Sequence, residues 1–195
     1  MGKRHDLKQM LQVGDKLFRR KSYHETGTEE LLKEGNFPRS SFYHHFGNKE
    51  GFAEKALGHY SANIREVLKQ SLENEEIPSA LERLKLYFLG VAQFNHHTRY
   101  ATACLVQKMS IELGGEDGAL VEKAREEFNS WIPHVSDCIA LGQRQGEIRD
   151  DLDADHLAKY LFSVVYGAYT FTRLSRDGKT FQAMVQTGFL FLQGV

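Results

Sequence analysis

From Leu7 onward the apolar side chains fall at Met10, Leu11, Gly14, Leu17 and Phe18, the i, i+3, i+4, i+7 spacing of a helix that buries one face. Lys8, Lys16 and Arg19 occupy its other faces. The same period recurs along most of the chain, while the alternating runs of Val, Ile and Thr that mark strands are missing. Only 3 prolines punctuate 195 residues, which argues against long loops. The expectation is therefore an all-α fold. At 41% hydrophobic and 26% charged residues, the chain has material for one sizeable core or two small domains.

Local stop and start signals divide the first third. The first helix should end near Lys21, and Thr26 with Glu29 three residues on forms a capping box opening a short helix, Thr28 to Glu34, that buries Leu31 and Leu32. Gly35 and Asn36 stop it. Asn tolerates the left-handed conformation of a tight turn and Pro38 suits the first turn of a helix, so Arg39 to Phe46 reads as a second short helix. Gly47 breaks that helix, and Asn48 caps a long one running through Phe52, Ala56 and Tyr60 towards Leu72.

The remainder reads as a helical bundle. Pro78 starts a helix whose Leu81, Leu84, Phe88, Val91 and Ala92 form one stripe, followed by helical segments at 101–113, 117–145, 153–175 and 178–193. The last two are apolar on more than one face, more than the surface helix of a monomer needs, and are expected to form a homodimer interface. Gly167 with Ala168, and Gly188, would permit close crossings there. The alternative is a pair of ordinary core helices.

Charge is distributed unevenly. The net value is −1, yet residues 1–60 hold 11 Lys/Arg against 8 Asp/Glu. Between Glu34 and Glu50 there is no carboxylate at all, and FPRSSFYHHFGNKEGF concentrates Arg39, Ser40, Ser41, Tyr43, His44, His45 and Lys49 among Phe37, Phe42 and Phe46. These side chains donate to phosphate oxygens and base edges. Two short helices joined by a tight turn, the second free of anions, have the helix-turn-helix layout whose second helix enters the major groove. The three phenylalanines would face the core against Leu17, Phe18 and Leu31. Lys49 opens a helix, where a cation opposes the helix dipole, so a phosphate is expected to compensate it.

The pattern LxxMLxxGxxLFRRKSYxxTGTEELLKEGNFPRSSFYHHFGNKEGF resembles the N-terminal DNA-binding domain of the TetR family of bacterial transcriptional regulators over nearly all of residues 4–60. Asn36 replaces a common turn Gly and Pro38 a common Ser, and both suit a turn. The resemblance implies an all-α homodimer with an N-terminal three-helix helix-turn-helix domain, residues 1–47, and a C-terminal helical bundle for ligand binding and dimerisation, residues 48–195. It implies DNA contacts from Thr28, Arg39, Ser40, Ser41, Tyr43, His44, His45 and Lys49. The expected partners are a double-stranded palindromic operator and a small-molecule effector. The expected function is a ligand-responsive regulator of transcription, repression being the commoner behaviour in the family. The competing reading is a helical small-molecule-binding protein or enzyme without a DNA role.

Aromatic and polar residues of the bundle supply candidate ligand contacts: Phe88, Tyr100, Cys104, Gln107, Trp131, His134, Tyr166 and Tyr169, with Phe94 and His96 of the same composition. Aromatics at helical spacing are also what a plain core requires. Cys104, in TACLVQKMSIELGG, is expected within the first turn of a helix, where the dipole favours a reactive thiolate; some TetR-family regulators of electrophile or oxidant response have a similar Cys-Leu there. The opposing reading is a packed, inert cysteine. His44-His45 and His96-His97 do not suggest a metal, since adjacent imidazoles point about 100° apart and no i, i+4 ligand pair accompanies them. No cofactor motif or catalytic constellation stands out. Two distant cysteines without a CxxC pair, no apolar leader, and a longest uncharged apolar run of only Tyr160 to Thr172 make the expected location cytoplasmic, with no membrane role.

Overall fold

The computed structural model describes residues 7–97, 104–115, 117–175 and 177–194, apart from the side chains of 95–97, and contains ten helices among them and no strand. They are α1 (Leu7–Arg20), α2 (Thr28–Glu34), α3 (Arg39–Phe46), α4 (Lys49–Leu72), α5 (Ala80–His97), α6 (Leu105–Leu113), α7 (Ala119–Asn129), α8 (Ile132–Arg144), α9 (Ala154–Ser175) and α10 (Gly178–Leu192). The chain divides into two compact units, one of Met1–Asn63 with Ala103–Phe128, the other of Ile64–Thr102 with Asn129–Val195. The boundary expected after residue 47 thus falls inside the first unit, which also takes up α6 and α7. Its physical cause is the depth to which the start of α4 is buried in that unit's core.

In the first unit Phe52 of α4 is fully buried. Its ring lies 6.0 Å from that of Phe18, 5.2 Å from Phe42 and 4.9 Å from Phe46, edge-on or tilted as aromatic quadrupoles prefer. Gly14 makes this possible, because a Cβ there would stand 2.6 Å from the Phe52 ring. Leu17, Leu31, Phe37, Ala53, Ala56 and Leu57 complete the core; Met10, Gly14, Leu17 and Phe18 of the α1 stripe and the three phenylalanines around α3 are buried as their spacing predicts, whereas Leu7 is exposed and Leu11 half-buried. Asn36 has φ 45° and Gly47 φ 73°, the left-handed turns that bound α3. Asn48 caps α4 by accepting from the Gly51 N–H at 2.8 Å.

The second unit is built around Phe88, Trp131, Phe162 and Phe189, whose rings pack at 6.0–6.3 Å. Side chains from near and far along the chain close its helix ends. The buried Arg83 guanidinium donates to Ile77 O at 2.6 Å and to Leu72 O, the last carbonyl of α4, at 3.2 Å. At the start of α5 the Glu147 carboxylate accepts from Ser79 Oγ at 3.0 Å and Leu81 N at 3.1 Å, while Gln145 accepts from Ala80 N at 3.0 Å. Gly167 and Gly188 face Met184 and Val164, so these small residues serve the crossing of α9 with α10 inside one chain.

The single helix expected over 117–145 is two, α7 and α8. Pro133 is responsible. It offers no N–H to the carbonyl of Asn129 and its ring crowds that carbonyl, so the helix ends at Asn129 and a new one starts at Ile132. Phe52→Ala is expected to destabilise the protein by about 3 to 5 kcal/mol through lost burial and the cavity left among three rings; urea unfolding measures it.

Candidate nucleic-acid interface

The two faces of α3 are sharply divided. Phe42 and Phe46 are buried, whereas Arg39, Ser40, Tyr43, His44 and His45 are exposed and Ser41 is half-buried. Tyr43 is 43% exposed despite its ring, which rests edge-on against Phe42 at 5.5 Å. The His44 and His45 rings stand 5.1 Å apart and nearly perpendicular, and His45 also lies 6.4 Å from Phe37, so the two imidazoles point different ways as adjacent helical residues must. Thr28 is half-buried at the start of α2. Lys55, which nothing in the local sequence singled out, donates from Nζ to the His45 carbonyl at 2.7 Å and lies 5.5 Å from the centre of the Phe46 ring. It adds a cation at the C-terminal end of α3, where the helix dipole favours one.

Three local expectations are corrected. The capping box does not form: the N-cap of α2 is Gly27 with no side-chain cap, the buried Thr26 hydroxyl donates backwards to Ser22 O at 2.5 Å, and Glu29 pairs instead with the Arg39 guanidinium. Both partners of that ion pair are largely exposed. Lys49 has partners within the fold, which the sequence did not indicate. Its Nζ donates to Tyr23 O at 3.1 Å and Thr26 O at 3.3 Å and sits 4.3 Å from the centre of the Tyr23 ring, so loop carbonyls and a π-face offset the unfavourable helix dipole. Cys104 is the N-cap of α6 in extended backbone conformation, just before the helix rather than within its first turn.

Residues 10–56 match the family model described as bacterial regulatory proteins, tetR family, and residues 80–187, more than half of the chain, match that described as tetracyclin repressor-like, C-terminal domain. The chain belongs to the TetR family. The HTH-type transcriptional repressor DhaR of Mycobacterium sp. is 26% identical over 168 residues, 86% of this chain and 82% of that one. The HTH-type transcriptional repressor NemR of Escherichia coli is 31% identical over 110 residues, 56% of this chain and 55% of that one. The crystal structure of regulatory protein TetR from Rhodobacter sphaeroides superposes with a TM-score of 0.86 at 22% identity, covering 93% of this chain and 96% of that chain. The family is one of regulators rather than enzymes, which removes the competing catalytic reading.

The ligand candidates of this TetR-family chain are distributed over both units. In the second, Phe88, Trp131 and Tyr169 are buried, Tyr166 lies 6.3 Å from Phe162, and Tyr169 packs edge-on against Phe181 at 5.2 Å. His134 faces the Glu73 carboxylate, with Nδ1 3.5 Å from its oxygen. Phe94 is exposed rather than packed. In the first unit, Cys104 and Gln107 are buried on α6. Tyr100 and the side chain of His96 lie outside the described residues. Among the described residues no group of His, Cys, Asp and Glu could hold a metal ion, and no helix is long and apolar enough to cross a membrane.

The Glu29–Arg39 pair has a direct consequence. Removing the carboxylate frees the guanidinium and withdraws an anion from beside α3. Glu29→Gln is therefore expected to tighten binding to duplexes of any sequence by about twofold to fivefold, the scale of an exposed ion pair, as read by fluorescence anisotropy.

Proposed function

We propose that this protein is a cytoplasmic, ligand-responsive repressor that binds a palindromic DNA operator as a homodimer and leaves it when a small-molecule or electrophile signal reaches its helical bundle. The observation that carries this reading is the outer face of α3: Arg39, Ser40, Tyr43, His44 and His45 exposed together, on a helix whose inner face is locked by Phe42 and Phe46. A rigid helix presenting donors and no anion suits the major groove. Arg39, Ser40, Ser41 and His45 read bases in this proposal. Tyr43, His44 and Thr28 hold phosphates. Lys49 contributes by fixing the loop before α2.

The dimer is supported by apolar side chains left on the outside of the last two helices. Phe171 is 58% exposed, Leu174 81% and Leu190 52%. A second copy covering them gives the twofold dimer that a palindromic operator, with half-sites about 34 Å or one DNA turn apart, requires. Sedimentation at micromolar concentration is expected to show a dimer, and a monomer would end this reading.

Roles on α3 are separable by mutation. Arg39→Ala is expected to cost about 1 to 3 kcal/mol at the site it reads and to relax the preference there, whereas Tyr43→Phe should weaken binding equally for all sequences. Competition binding against single-base operator variants distinguishes the two patterns. A uniform loss for both substitutions would contradict the division.

The proposed signal is either a reversible ligand or a covalent modifier, and the cysteines distinguish the two. Burial pushes the Cys138 thiol up to about 11, and its Sγ lies 3.5 Å from the Ala80 carbonyl, so it stays a thiol at neutral pH. Cys104 stands at the start of α6. Under brief N-ethylmaleimide treatment the covalent form requires Cys104 to react faster than Cys138 and Cys104→Ser to remain on DNA, both read by mass spectrometry and gel shift. Equal slow reaction at both leaves the reversible effector.

A further inference from the structure

The backbone that joins α1 to α2 is held by helices far away in sequence. Lys108 of α6 donates from Nζ to Arg19 O at 3.0 Å and to Lys21 O, at the C-terminal end of α1. One turn later on the same face, Glu112 accepts from two consecutive amides, Tyr23 N at 2.9 Å and His24 N at 2.6 Å. From α4, Lys49 takes the carbonyls of Tyr23 and Thr26, and from α2, Glu30 pairs with Lys21 at 2.6 Å. Each contact from α6 spans 87–89 residues of sequence.

These contacts are placed where they have leverage. A cation at the end of α1 meets the negative pole of that helix, and a carboxylate bridging two N–H groups makes charge-assisted hydrogen bonds, stronger than neutral ones. The start of α2 has no side-chain cap of its own, so its position is inherited from the junction before it. α3 follows α2 through the tight Asn36 turn and inherits the same position. α6 begins at Leu105, just after the chain re-enters the first unit at Ala103. It is therefore the first helix of this unit reached from the residues that precede it.

Resting on the regulatory reading above, we propose that Lys108 and Glu112 are positioning residues for DNA binding: they hold residues 21–24 so that α2 and α3 are set for the groove. Neither side chain touches DNA. Glu112→Gln keeps the shape but leaves one acceptor for two donors, turning an amide NH2 towards a backbone N–H. Lys108→Met removes the donors, and Lys108→Arg retains them.

The test uses the full chain and a duplex that the wild type selects from a randomised pool. In Glu112→Gln the amides of Tyr23 and His24 exchange hydrogen faster, and in both Glu112→Gln and Lys108→Met affinity falls about tenfold, the scale of a lost charge-assisted hydrogen bond. The slope of log Kd against log salt stays at the wild-type value because no phosphate contact is lost. Lys108→Arg binds as the wild type. Faster exchange with unchanged affinity overturns the proposal, as does a salt slope reduced by about one per substitution, which makes these residues phosphate contacts. Failure of Lys108→Arg to rescue also overturns it. A wild type that selects no duplex defeats the regulatory reading itself, whereas selection with all variants at wild-type affinity defeats the positioning role alone.

Discussion

The arrangement of the first unit depends on one missing side chain. Because Gly14 has no Cβ, the Phe52 ring can lie against α1 at a distance that any other residue would forbid, and from there it reaches Phe18, Phe42 and Phe46. One ring thereby joins α1, α3 and α4. With the inner face of α3 committed to that cluster, its polar side chains have only the outside left, and the helix has no second way to sit. The division between a phenylalanine face and a donor face is thus a packing result with a functional consequence.

Within each unit, several charged side chains hold loops and helix ends. Lys49, Lys55, Lys108 and Arg83 all donate to backbone carbonyls at or beyond the ends of helices, and Glu112 and Glu147 accept from backbone amides. Helix ends leave unpaired carbonyls and amides, and a full charge meets them better than a neutral group. Exposed pairs such as Arg125 with Glu122 contribute little beside these. In the positioning proposed for Lys108 and Glu112, a helix that carries the donor or acceptor sets the loop it holds. Membership of a family of regulators gives that linkage its relevance.

The sequence by itself determined what depends on near neighbours. Helical spacing placed nine segments, of which Pro133 divides 117–145 into α7 and α8, and α2 and α3 are bounded as expected because Asn36, Gly47 and Asn48 act through their own backbone or the next turn. The carboxylate gap marked α3 as the donor face for the same local reason. Tertiary structure decided whatever needed a partner far along the chain. Thr26 and Glu29 carry a capping signature, yet Arg39 offers Glu29 a full positive charge and Ser22 offers Thr26 a carbonyl, so both side chains turn elsewhere. Lys49 reads as an anion site until the Tyr23 loop folds beneath it. Lys108 and Glu112 are ordinary solvent-facing residues of a helix in sequence, and nothing nearby distinguishes them. Only the fold brings the end of α1 within their reach, because a hydrogen bond depends on distance in space, which spacing along the chain does not encode across 87–89 residues.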